Sequence, residues 1–235
     1  MTHSQHNPDF RLNGYRPATP GVGSDFDDRI SLCENELTTL AKHHTADDRH
    51  TFLVLHDAST IYGAPGGAAI IALHLTRDVG SRTFTFDSER HPLLALAQSW
   101  LIRRGCPDDA VYPPGDRGTL PADETTATLE RRLRHAANRY SLVESHVGEG
   151  YPTQETAVLL EAVNPRQAHP YRLLLEVTDL QAGTHRLREG AFETAEAALD
   201  WLEDRSTPLP APTPTTARSL SARPAGPASA RGRTR

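Results

Sequence analysis

Lysine is almost missing from this chain. Of 25 basic residues only Lys42 is a lysine, and its setting, A-K-H-H, fits neither a phosphate-cradling loop nor a Schiff-base site. That leaves almost no room for lysine-dependent chemistry. Cysteine is scarce too. Cys33 and Cys106 stand far apart and outside any C-x-x-C, so reduced thiols rather than a disulfide framework are expected. Apolar runs are short: the longest, Ala68 to Leu73, falls far below the length that spans a bilayer. The start, M-T-H-S-Q-H-N-P-D-F, lacks the apolar core of a secretory signal. Together these absences point to a cytoplasmic protein. G-x-S-x-G, G-x-G-x-x-G and catalytic-cysteine signatures are missing as well.

What is present is a repeat. The two tryptophans open the same frame, W-L-x-x-R-x-x-P: Trp100, Leu101, Arg104, Pro107 and Trp201, Leu202, Arg205, Pro208. Upstream, Ala97 matches Ala198 and Thr83 matches Thr184. Six identities across residues 83–107, including both copies of the rarest bulky residue, suggest one unit built twice.

Hydrophobic spacing fills in the unit. Phe26, Ile30, Cys33, Leu37 and Leu40 predict a helix over 24–43, with Ser24 at its start. F-L-V-L-H (52–56), A-A-I-I-A-L-H-L (68–75) and T-F-T-F (83–86) read as strands, followed by a helix with Pro92 in its first turn and Gly105 at its end. After a Pro/Gly-rich connector, Leu129, Leu133, Ala136, Tyr140, Val143 and Val147 predict a second opening helix, with 141–147 open to a strand reading. Strands at 158–163, 172–177 and 184–188 and a helix capped by Thr194 complete the order. The expected fold is α+β: two similar α-β-β-β-α modules, an internal duplication, whose antiparallel sheets are covered by helices on one face. The expected boundaries are a disordered segment at 1–23, modules at 24–107 and 123–208, a connector at 108–122 and a disordered basic tail at 209–235.

Charge is uneven. Residues 206–235 hold Arg218, Arg223, Arg231, Arg233 and Arg235 and no acid, whereas the rest carries 20 basic and 30 acidic residues. The tail is suited to nucleic acid or an acidic partner, with a solvated tail the simpler reading. The densest ionisable group is His43, His44, Asp47, Asp48 and His50, with His56 and Asp57 downstream. These are metal-donor types, but they lack the spacing of a helical metal motif and read as a polar helix end. The Y-G-A-P-G-G stretch (62–67) reads as a connection between strands. The pairs Glu89/His91 and Glu144/His146 read as solvated acid–base types. Helix–three strands–helix is also the order of the double-stranded RNA-binding domain, and G-A-F-E-T-A-E-A-A (190–198) looks like the start of that family's second helix. That family places lysines there to meet phosphate. Here Glu193, Thr194 and Glu196 in one half, and Glu89, Arg90 and His91 in the other, stand at those places, and an acidic helix start repels phosphate.

No catalytic, cofactor-binding or metal residue is assigned from these patterns. The expected function is a non-catalytic cytoplasmic adaptor or regulatory protein that contacts another protein or a second copy of itself. Nucleic-acid association through the tail and a metal-dependent enzyme using the His43–His56 region are the alternatives.

Overall fold

The computed structural model describes residues 8–59, 67–115, 117–136, 139–148, 150–164 and 167–212, which form two five-stranded sheets and four helices in a mixed α+β architecture. The first half runs β1 (Arg16–Pro17), α1 (Pro20–Arg29), a 3-10 segment (Ser31–Glu36), β2 (Leu37–His44), β3 (His50–Asp57), β4 (Ile70–Asp78), β5 (Thr83–His91) and α2 (Leu94–Arg103). After a 3-10 turn (Asp108–Val111), the second runs β6 (Leu120–Pro121), α3 (Glu124–Arg134), β7 (Tyr140–Val147), β8 (Thr153–Ala162), β9 (Tyr171–Asp179), β10 (Thr184–Phe192) and α4 (Ala195–Glu203).

The strand orders match: β1-β5-β4-β3-β2 and β6-β10-β9-β8-β7. Each sheet is a four-stranded antiparallel meander with a two-residue strand added in parallel at one edge. The expected three strands per half are therefore too few, and the likeness to the double-stranded RNA-binding order does not hold. The uncounted meander strands are β2, read from spacing as the end of an opening helix, and β7, whose residues 141–147 are open to the strand reading that the structure takes. A bulge explains why. Pairing shifts between Thr39 and Ala41, and again between Leu142 and Glu144. One extra residue breaks the two-residue alternation, so apolar Leu37, Leu40 and Ala41 fall at spacings that imitate a helix.

The helix starts follow capping chemistry. The Thr19 hydroxyl accepts from the Val22 N–H with Pro20 at the first helical position, which moves the start upstream of Ser24. Asp123 does the same for Thr126 N–H, and Thr194 for Ala197 N–H. Pro92 lies just before α2 rather than inside its first turn, because β5 continues to His91. Gly105 takes a left-handed φ of +95° where the chain leaves α2.

Both faces of each sheet are covered, not one. α1 sets Phe26 against Leu53, Leu55, Leu73 and Leu75, while α2 sets Ala97, Trp100 and Leu101 against Phe52, Val54 and Ala72 on the other face. α2 also turns Leu93 and Ala95 toward the second sheet, where they join Leu129, Leu133, Val158, Leu160, Leu174 and Leu187 in one cluster. The halves thus share a core along the α2–α3 seam. α4 closes the outer face over Leu159, Leu173 and Leu175.

The two tryptophans differ in burial. Trp100 is 4% exposed, with the Arg104 guanidinium 3.3 Å over its ring and its N–H donating to Glu89 at 2.6 Å. Trp201 is only partly buried, and its N–H donates to the Thr207 carbonyl at 3.0 Å. Position 190, matching Glu89, is a glycine, and a Cβ there would stand 2.5 Å from Leu209. Ordered packing also extends beyond 24–208. Phe10, Leu12 and Tyr15 join the first core, Leu209 joins the outer one, and Ala191 N–H donates to the Pro210 carbonyl. Residues 1–7 and 213–235, with the tail arginines, lie outside the described residues, as does most of the Y-G-A-P-G-G stretch.

Candidate functional site

The histidine-rich stretch folds as the β2–β3 hairpin, so its side chains part to opposite faces instead of forming a helix end. His43, His50 and His74 surround Phe52, with His74 stacked on its ring at 4.4 Å and His50 Nδ1 3.1 Å from His74 Nε2. Burial first, then His50, pushes His74 down to about 4, so it is neutral at pH 7. His44 instead meets the Thr51 hydroxyl at 2.9 Å. Asp47 binds the turn through Thr45 and the Arg49 N–H, while Asp48 pairs with Arg11 and Arg77. Asp57 is fully buried and held by Ser59 and by Arg90 at 2.6 Å. Among the described residues no group of three or more His, Cys, Asp or Glu is placed to hold a metal ion. Burial pushes the Cys106 thiol up to about 12 and raises Cys33, so neither is a thiolate at neutral pH. Glu144 and His146 are exposed on β7, as expected of solvated residues; His91 is buried, which was not.

A polar cluster that spacing did not reveal appears when the halves are aligned. Counting from the caps Thr19 and Asp123, Phe26 corresponds to Glu130. Counting from Thr83 and Thr184, Phe84 corresponds to His185 and Leu75 to Glu176. Pairing confirms the alignment: Leu75 opposes Phe86 as Glu176 opposes Leu187. In the first half these places form an apolar cluster, with the Phe26 and Phe84 rings edge-to-face at 5.4 Å. In the second, His185 Nε2 meets Glu130 Oε1 at 2.9 Å and Nδ1 meets the Thr119 hydroxyl at 2.9 Å. Burial works against charge on His185, but the bond to Glu130 and the nearby Glu176 raise its pKa. Burial pushes the Glu176 carboxyl up to about 7, opposed by His185 and reinforced by Glu130. Hydroxyl, imidazole and carboxylate stand in one chain, the order that can activate a hydroxyl.

This cluster borders a cleft of about 290 Å³ at the seam between the halves. Leu94 and Gln98 of α2, Tyr112 and Arg117 of the connector, and Glu130 and Arg134 of α3 line it. A smaller crevice of about 90 Å³ lies elsewhere on the seam, lined by His91, Ser99, Trp100, Leu133 and Leu142. His91 Nε2 and Ser99 Oγ are buried there without a hydrogen-bond partner among the described residues, and burial pushes His91 down to about 4.

The outer sheet edges also differ. β2 is covered at its bulge: the 3-10 turn at 108–111 packs against it, and Arg117 Nη1 donates to the Thr39 carbonyl at 3.3 Å. Among the described residues β7 pairs with β8 alone, and Leu142 and Val143 at its bulge are 48% and 46% exposed. Among the described residues no helix is long and apolar enough to cross a membrane. No protein-family model, curated protein or solved structure matches this chain.

Proposed function

We propose that this protein is a non-catalytic cytoplasmic adaptor, an internally duplicated pair of modules in which the second takes an extended segment of a partner protein onto β7. The observation that carries the reading is the unpaired β7 edge with Leu142 and Val143 exposed, where the equivalent β2 edge is covered by the connector. An open strand edge offers backbone N–H and C=O groups to an incoming strand, and its bulge gives that edge a defined shape. The test compares proteins retained from a cell extract by the full chain and by its Leu142→Lys/Val143→Lys variant, with sedimentation reporting a second copy as the occupant. Partners held by the wild type and lost from the folded variant support the reading. Identical sets, with both proteins monomeric, overturn it.

A second reading is favoured by one observation, the Thr119–His185–Glu130 chain. Acyl transfer through the Thr119 hydroxyl predicts a stoichiometric burst of p-nitrophenol from an activated ester. The burst should vanish in Thr119→Val and in His185→Gln.

A further inference from the structure

The seam cleft contains a cation that has no counter-ion among the described residues. Arg134 closes α3 and is only 5% exposed, at the place that Ile30, fully buried, holds in the first half. The frame therefore accepts an apolar residue there, and the arginine is not required by packing. Its guanidinium lies 4.4 Å from the Tyr112 ring centre, and Nη1 reaches Gln98 Oε1 only at 3.5 Å. Nε is buried and has no hydrogen-bond partner among the described residues, and no carboxylate there lies within ion-pair distance of the group. Arg117, which also lines the cleft, repeats the pattern: Nη1 is spent on the Thr39 carbonyl, while Nε is buried and has no hydrogen-bond partner among the described residues.

The other charges around the cleft are matched. Glu130 is bonded to His185, and Arg131 to Glu124 at 2.7 Å. Among the described residues the uncompensated charge is thus that of Arg117 and Arg134. A guanidinium taken out of water without an anion is costly, and buried polar atoms are rarely left unpaired in native proteins. Arginine's planar fork suits the paired oxygens of a carboxylate or phosphate. The remaining wall, Leu94, Tyr112 and Pro113, is apolar and aromatic.

We propose that the seam cleft binds a small anionic molecule, its carboxylate or phosphate held between Arg134 and Arg117 and its body resting on Tyr112 and Leu94. A volume of about 290 Å³ admits a compound of metabolite size rather than a protein segment. Because the cleft is walled by both halves, such a ligand would also join them.

The experiment titrates the full chain with inorganic phosphate and, separately, benzoate at constant ionic strength, following heat and the Arg Nε–H resonances. Saturable binding of either probe is expected, with the preferred one identifying the anionic group. Arg134→Met should weaken it at least tenfold while leaving the free protein as stable as wild type or more so. Arg117→Gln should weaken it as well, and Arg49→Gln, on the distant hairpin turn, should not. Two results overturn the proposal: no saturable binding of either anion, or binding that survives in Arg134→Met/Arg117→Gln. If Arg134→Met fails to fold, Arg117→Gln together with the Arg134 Nε–H shift decides the matter in the same way.

Discussion

Phe26 and Phe84 meet ring to ring at 5.4 Å in the first half, and the residues at the same places in the second, Glu130 and His185, meet through a hydrogen bond at 2.9 Å. The strand order, bulge position and helix caps around them are the same. The frame thus tolerates either an apolar plug or a titratable cluster, so the cluster is not explained by folding alone. It has to be compensated locally, and Thr119, Glu130 and Glu176 do that for His185. A similar contrast runs through two grooves beside the opening helices. The first is lined by Asp28, Glu36 and Glu89 with Arg29 and Arg90, and the second by Arg132, Arg139, Arg172 and Arg188 with Glu124 and Glu189, so only the balance of charge differs. Repetition carries the architecture, and departures from repetition mark where to look for function.

The broadest test of the comparison is the shared frame. Leu73 and Leu174 are equivalent and almost wholly buried. Leu73→Ala and Leu174→Ala should each cost about 2–5 kcal/mol in urea unfolding and agree within about 1 kcal/mol. A large mismatch would break the equivalence. Next comes the polar cluster: Glu130→Leu alone should cost about 1.5–3 kcal/mol near pH 6 by stranding His185. Importing the first half's residues together, Glu130→Phe/Glu176→Leu/His185→Phe, should be neutral or stabilising by about 1–4 kcal/mol.

The halves should also answer pH in opposite directions. His74 and His91 are held near 4, below their unfolded value of 6.5, so the unfolded chain binds more protons between those values. Their contribution is full above pH 6.5 and is lost as pH falls toward 4. Glu176 is held near 7, above its unfolded 4.5, so its contribution is full below 4.5 and is lost as pH rises to 7. Hydrogen exchange at pH 5 and pH 7, corrected for intrinsic rates, should show β3–β4 gaining protection and β8–β9 losing it. Glu176→Gln should remove the second trend. The smallest effect belongs to the edge: Leu142→Lys should change stability by no more than about 0.5 kcal/mol, whereas Thr39→Lys, 3% exposed beneath the connector, should be clearly destabilising. Equal effects would mean that β7 is covered after all.

The sequence alone made part of this legible. The tryptophan frame marked α2 and α4 correctly, Thr194 and Gly105 marked a start and an end, and three of the four meander strands in each half were read as strands, two of them from apolar runs. β2 stayed hidden, and 141–147 stayed ambiguous between helix and strand, because a bulge shifts their alternation toward helical spacing. The polar cluster stayed hidden for a different reason: Glu130, Glu176 and His185 lie in three elements, and only the register of β9 against β10 and the fold of α3 bring them together. Aligning the halves by their caps would have exposed it, since a buried phenylalanine facing a glutamate is visible as a mismatch. Arg134 likewise stands out only beside Ile30.

The segment after α4 decides where this chain can be cut. Thr207 takes the Trp201 N–H, Leu209 lies over Gly190, and the Pro210 carbonyl takes the Ala191 N–H on β10. A fragment stopping at Pro208, where the repeated frame ends, would keep Thr207 but lose Leu209 from over Gly190 and the Pro210 carbonyl from the β10 edge. It would then expose additional β10 strand edge, and any self-association gained would be a product of the cut. Fragments meant to test the proposed partner surface on β7 should therefore retain the chain through Pro212.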